Sequence, residues 1–106
     1  MNNSPTVWIT YNDRRKDFSK AEEFGECKEI FSSLGKTYNS EALVRHARYV
    51  AEQFQEGDYL LVVGDPTVIG ICMSALFERW ETISVLRWNR DEFNYEPFEI
   101  TFDWKE

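Results

Sequence analysis

Histidine occurs once in this chain, at His46, and that limits the chemistry open to it. A Cys–His pair or a Ser–His–Asp set needs an imidazole base held against the nucleophile. At helical spacing His46 falls on the margin of an apolar stripe through Leu43 and Val50, beside Tyr49 and Gln53. A half-buried structural histidine is the simpler reading there. Zinc asks for three or four ligands, and one histidine with two separated cysteines, Cys27 and Cys72, is a poor start. The two cysteines sit in apolar settings, where a free thiol behaves as a small hydrophobe. Exposed, paired cysteines would mark an oxidising compartment, so the reading is an intracellular protein with free thiols. The sequence therefore predicts no catalysis, no metal and no cofactor.

A second place where chemistry could gather is the junction Gly64-Asp65-Pro66, where a strand turns into a helix. Free N–H groups at such a turn suit phosphate. A Walker A loop ends in Lys-Ser/Thr after several glycines, and a dinucleotide loop reads G-x-G-x-x-G; neither is present. Asp65 would occupy the free N–H groups as a helix cap, and Pro66 removes a further donor. Asp13 and Asp17 follow the first strand at the same end of the expected sheet, so a divalent-ion or nucleotide site from Asp13, Asp17 and Asp65 is the ligand-binding alternative. Its rim would run through Asn12, Asp13, Arg14 and Asp65. In the same loop Arg14, Arg15 and Lys16 offer a basic patch for an anion or an acidic partner, against the plainer reading of a solvated loop.

The most individual stretch is the closing hairpin, Arg87-Trp88-Asn89-Arg90-Asp91 and Tyr95-Glu96-Pro97-Phe98. Trp88 and Tyr95 are placed to pair across it, worth about 0.2–1 kcal/mol. Trp88, Arg90 and Tyr95 also belong to the residue types enriched in binding hot spots. Charge is unevenly spread: residues 12–20 carry +2 and residues 91–106 carry −5, within a net charge of −7. Proteins that coat nucleic acid present a basic face, so the balance argues against direct nucleic-acid binding. A third reading takes the acidic C-terminal region as an imitation of nucleic acid that occupies a basic DNA-processing protein.

These residues need elements to hold them. Thr6–Asn12 is β-branched and aromatic and predicts a strand, with Val7, Ile9 and Tyr11 on one face and Trp8 and Thr10 on the other. A polar connection from Asp13 to Gly25 follows, pinned by Phe18 and Phe24, with a helical turn over Ala21–Phe24. Cys27–Ser32 is a second strand. Asn39 or Ser40 caps a helix whose Leu43, Ala47, Val50, Ala51 and Phe54 form one stripe, with Gly57 as its stop. Tyr59–Val63 does not alternate, which marks a strand covered on both faces in mid-sheet. A second helix runs from Pro66 to about Trp80, apolar well beyond one stripe, with Gly70 allowing close approach to the sheet. Thr82–Trp88 and Tyr95–Phe102 close the chain as an antiparallel hairpin, and Pro97 sets the last strand at an edge.

The expected fold is thus α/β: one domain over residues 1–106, a small mixed sheet of about five strands in the order β-β-α-β-α-β-β, and two helices on one face. The other face would show side chains such as Trp8, Leu86 or Trp88, depending on register. Seventeen aromatics exceed what a 106-residue core can enclose, which suggests cover by a second copy, a homodimer. No apolar run reaches the roughly 18–20 residues of a membrane span, and the first residues, MNNSPTVW, lack the pattern of a secretory signal.

The order Phe18-Ser19-x-Ala21-x-x-Phe24-Gly25, then Asp58-Tyr59-Leu60-Leu61-Val62-Val63-Gly64-Asp65-Pro66, then Val85-Leu86-Arg87-Trp88-Asn89-Arg90 and Tyr95, resembles short uncharacterised proteins of tailed bacteriophages and related microbial viruses. The resemblance spans most of the chain and brings no activity and no catalytic residues. It implies expression in the cytoplasm of an infected prokaryotic cell. With the missing catalytic set, it points to a virus-encoded accessory protein that binds a host or viral protein.

Overall fold

The computed structural model describes residues 4–12, 16–32 and 39–102. Asp13, Arg14 and Arg15 lie outside the described residues. Five strands form one sheet: β1 (Thr6–Tyr11), β2 (Glu26–Phe31), β3 (Tyr59–Leu61), β4 (Thr82–Asn89) and β5 (Asn94–Thr101). Two helices, α1 (Ser40–Gln53) and α2 (Pro66–Phe77), and a 3-10 turn at Ser19–Glu23 complete it. The spatial order is β2-β1-β3-β4-β5. The first four strands run parallel and β5 returns antiparallel to β4.

Tyr59–Leu61 lies mid-sheet because each of its residues has a neighbour on both sides: Leu60 is in register with Trp8 and with Val85. Leu60 and Leu61 are wholly buried, on opposite faces. The strand is two residues shorter than its apolar run. Past Leu61 the ladder between β1 and β3 gives way to a side chain: Thr10 Oγ1 donates to Val63 O at 2.5 Å and accepts from Val63 N at 2.9 Å. The hydroxyl thereby satisfies both backbone groups of Val63, just past the end of β3.

Both helices pack on one face. Ala47, Val50, Ala51 and Phe54 of the α1 region and Val68, Cys72, Ala75 and Leu76 of α2 meet Trp8, Leu60, Ile83 and Val85 there. Asn39 caps α1, its side chain accepting from Ala42 N at 2.8 Å. The helix stops at Phe54, whose extended backbone breaks the pattern, three residues before the glycine expected to end it. Across the helices Arg48 grips Glu78, with Nε and Nη2 at 2.9 and 2.6 Å from its two carboxylate oxygens. That hydrogen bonding holds the Glu78 carboxyl below its ordinary range. The pair is half exposed, so it orients the helices more than it stabilises them.

The opposite face is covered by the chain itself. Phe18, Ala21 and Phe24, from the 3-10 segment and its flanks, pack with Val7, Ile9, Leu61, Leu86 and Tyr95. Two expectations change here. Trp8 lies under the helices, not on the open face, and Leu86 is fully buried beneath the 3-10 segment. Of the three side chains expected on that face, Trp88 alone is substantially exposed. Cys27 sits on this side and Cys72 on the helix side, so the sheet separates the two free thiols. Burial pushes the Cys72 thiol up to about 12.

Gly70 corrects a third expectation. It faces solvent, and an added Cβ would meet nothing within 4 Å. It is not a point of close helix–sheet approach. Gly70→Ala is therefore expected to stabilise the fold by about 0.5–1 kcal/mol, through helix propensity and a less flexible unfolded chain. Chemical denaturation gives the check, as a raised midpoint at unchanged slope.

β5 is an edge strand, and its hydrogen-bonding parity explains Pro97. Phe102 N donates to Glu81 O around the Thr82–Thr101 pair, so Glu96, Phe98 and Ile100 point their backbone groups at β4. Pro97 then faces the outer edge, where its missing N–H costs no ladder bond and removes a donor from any strand that might pair there. The helices scarcely cover β5. Ile100 is half-buried, while Phe98 and Phe102 are close to half exposed.

Candidate functional site

Because β1, β3 and β4 are parallel, their C-terminal ends share one end of the sheet. Asn12, Lys16, Asp65 and Arg90 follow those ends, and Trp88 is the last residue but one of β4. The strand order reverses between β1 and β3, the position where open α/β sheets hold ligands. Here that crevice is filled from within. Thr10 staples Val63, and Tyr11 lies so close over Gly64 that a Cβ there would come within 2.7 Å of its ring. Gly64 has φ +97°, the left-handed backbone that glycine supplies. Asp65 turns its carboxylate on its own helix, accepting from Thr67 N at 2.8 Å, with Pro66 in the first turn. Asn12 hydrogen-bonds Glu29. Asp17 is likewise used locally, accepting from Ser19 N, and that bond draws its carboxyl below the ordinary range. Lys16 is exposed. Among the described residues no three His, Cys, Asp or Glu side chains gather as a metal set.

His46 is occupied structurally. Its Nε2 lies 2.8 Å from Ile30 O, and its ring is 5.0 Å from that of Phe31. The imidazole ties α1 to the edge strand β2.

The hairpin end is built differently. Trp88 and Tyr95 are in register, their rings edge to face at 5.0 Å. Tyr95 belongs to the core, and its burial raises the phenol above its ordinary range, with Cys27 and Asp17 adding to the effect. Trp88 lies over it and stays 45% exposed. Arg90 is exposed in the turn. So the structure brings Trp88, Arg90 and Tyr95 to one hairpin end, with Tyr95 as the buried support and Trp88 as the presented surface. On the helix side Arg87 stacks on Phe98, 4.6 Å from the ring centre, and faces Glu96 at 3.6 Å.

Phe93 was not singled out from the sequence. It ends the turn between the two strands, is 66% exposed, and has φ +55°. A side chain with a Cβ costs roughly 1–2 kcal/mol in that conformation. The turn is nonetheless fixed: Asn89 Oδ1 accepts from Asp91 N and Glu92 N, and Phe93 N donates to Asn89 O. Lys20 Nζ donates to Phe93 O at 2.8 Å, tying the turn to the 3-10 segment. An aromatic residue inside a charged turn is the sequence signal that marks it.

Among the described residues, two of the hollows away from the hairpin end stand out by their lining. One of about 850 Å³ is an open trough on the outer face of α1, bordered by Arg45, Arg48, Tyr49 and Glu52. The other, about 530 Å³, lies at the far end of the sheet between Phe54, Gly57, Trp80 and Ile83.

Fold and surface together define a small α/β domain with a reinforced sheet and an aromatic hairpin presented at one end. The family model described as Phage Pam3 gp32-like protein matches residues 9–102, and the chain belongs to that phage family. No curated protein and no solved structure matches the chain. Among the described residues no helix is long and apolar enough to cross a membrane.

Proposed function

We propose that this phage protein is a non-catalytic accessory factor that acts by binding another protein, of the host or the phage, through the end of the β4–β5 hairpin. The observation that carries the reading is Trp88: a tryptophan packed edge to face on Tyr95 and still 45% exposed. A large, preorganised ring on the surface gains contact area at little entropic cost, the profile of an interface hot spot. Arg90, exposed in the turn two residues on, supplies a polar group at the same hairpin end. The rim reading, a small ligand or nucleotide near Asp65, has less to stand on, since Asp65, Thr10 and Tyr11 are spent on the protein's own turn.

Affinity purification of the tagged full chain from infected cells tests this. The expected result is one protein recovered in stoichiometric amount and bound at least tenfold more weakly by Trp88→Ala, since truncating a hot spot costs on the order of 2 kcal/mol. The variant should stay folded, because the Trp88–Tyr95 pair contributes only about 0.2–1 kcal/mol. Recovery of no protein, or equal binding by a folded Trp88→Ala, would overturn the reading.

A further inference from the structure

Phe93 is the feature of the molecule least explained by folding. A large apolar side chain stands two-thirds exposed at the tip of the hairpin. Its backbone lies in the left-handed region that glycine and asparagine fill without cost. The turn is held there by Asn89 and by Lys20, so the strained geometry is built in and not a loose end. Backbone strain that brings no packing in return gathers where a protein makes contact with something else.

The neighbours of Phe93 indicate what that contact is. Asp91 and Glu92 precede it, both exposed, and neither has an ion-pair partner among the described residues. Of the two cations near the tip, Lys20 is turned inward on the Phe93 carbonyl and Arg90 stands exposed one residue before Asp91. The tip therefore presents one aromatic ring directly preceded by two exposed carboxylates, with Arg90 before them and the Trp88 surface across the turn.

We propose that Phe93 is the anchor of the interface, entering an apolar pocket rimmed by lysine or arginine on a protein partner. This rests on the protein-binding reading above. It adds which residue inserts and what the receiving surface looks like. The apolar ring supplies the slow dissociation, and Asp91 and Glu92 supply the attraction and orientation on approach.

The test uses the protein recovered with the full chain, purified and titrated against variants. Phe93→Asn suits the left-handed backbone, so it is expected to raise Tm, by roughly 2–6 °C, while weakening binding by about 30-fold or more. Stability and binding moving in opposite directions is a signature that loss of folding cannot produce. Phe93→Leu, which keeps an apolar anchor, should retain most of the affinity. Asp91→Asn with Glu92→Gln should slow association and flatten its dependence on salt. If Phe93→Asn binds within twofold of the parent while Trp88→Ala does not, the anchor assignment is wrong and the protein-binding reading stands. If association of the parent is insensitive to salt, or the recovered protein is a second copy of this chain, the basic-rimmed partner is wrong. If nothing binds the parent chain, both readings fall together.

Discussion

Asp58→Ala is expected to destabilise the protein by about 3–5 kcal/mol, a large share of the roughly 5–15 kcal/mol that holds a domain folded. The carboxylate is 7% exposed and accepts three hydrogen bonds. Oδ1 takes Thr6 N at 2.9 Å, and Oδ2 takes Trp8 Nε1 at 3.1 Å and Gln55 N at 2.9 Å. One side chain thereby fastens the start of β1, the indole under the helices, and the turn leading into β3. Alanine removes the acceptor and leaves three donors short of a partner, and an unsatisfied buried donor costs about 1–3 kcal/mol. Asp58→Asn should cost less, about 2 kcal/mol, because one amide oxygen still accepts while the NH2 faces a donor. Urea titration followed by tryptophan fluorescence measures both. Equal midpoints for Asp58→Ala and the parent would show that water replaces the carboxylate without loss.

Asp58 also shows where sequence reasoning stops. An aspartate just before a strand reads as a solvated turn residue, and nothing local reveals that Trp8 and Thr6, some fifty positions earlier, will point at it. The alternation in β1 is a related case. Period-two spacing correctly divides Val7 and Ile9 from Trp8 and Thr10. It does not say which set meets the helices, since that depends on the crossovers. Trp8 stands in the sequence as one of three alternatives for the open face, depending on register, and lies beneath α1 and α2. What was legible had a local cause. The unalternating Tyr59–Val63 run marks a central strand, Asp65-Pro66 starts α2, the α1 stripe names its buried face, and Pro97 marks the edge.

The candidate surface divides along the same line. The Trp88–Tyr95 pairing follows from a short hairpin turn, so its register could be counted from the sequence. That Tyr95 is buried and Trp88 exposed could not, because the division is made by the 3-10 segment folding over that face. Phe93 escaped for a different reason. Turn chemistry is read from Gly, Asn, Asp and Pro, and a phenylalanine at the left-handed position runs against that code.

Gly25→Ala is the second substitution with a large expected cost, about 3 kcal/mol or more, from two independent penalties. At φ +155° the backbone is in a region almost reserved for glycine. The new Cβ would also fall 2.2 Å from Pro5 O and 2.8 Å from Pro5 C, and both are backbone atoms that cannot rotate aside. The entry to β1 would have to move away from the entry to β2. Overpacking in a close-packed site costs roughly 1–3 kcal/mol before the backbone strain is added. The residue after Pro5 is Thr6, whose N–H is held by Asp58. Displacing Pro5 therefore pulls on the same hydrogen bond that Asp58→Ala deletes. The two substitutions should be less than additive, with the double variant falling short of the summed losses by about 1 kcal/mol. A double-mutant cycle measured by urea unfolding decides it. Strict additivity would mean that the Gly25–Pro5 contact and the Asp58 cluster hold the start of β1 independently.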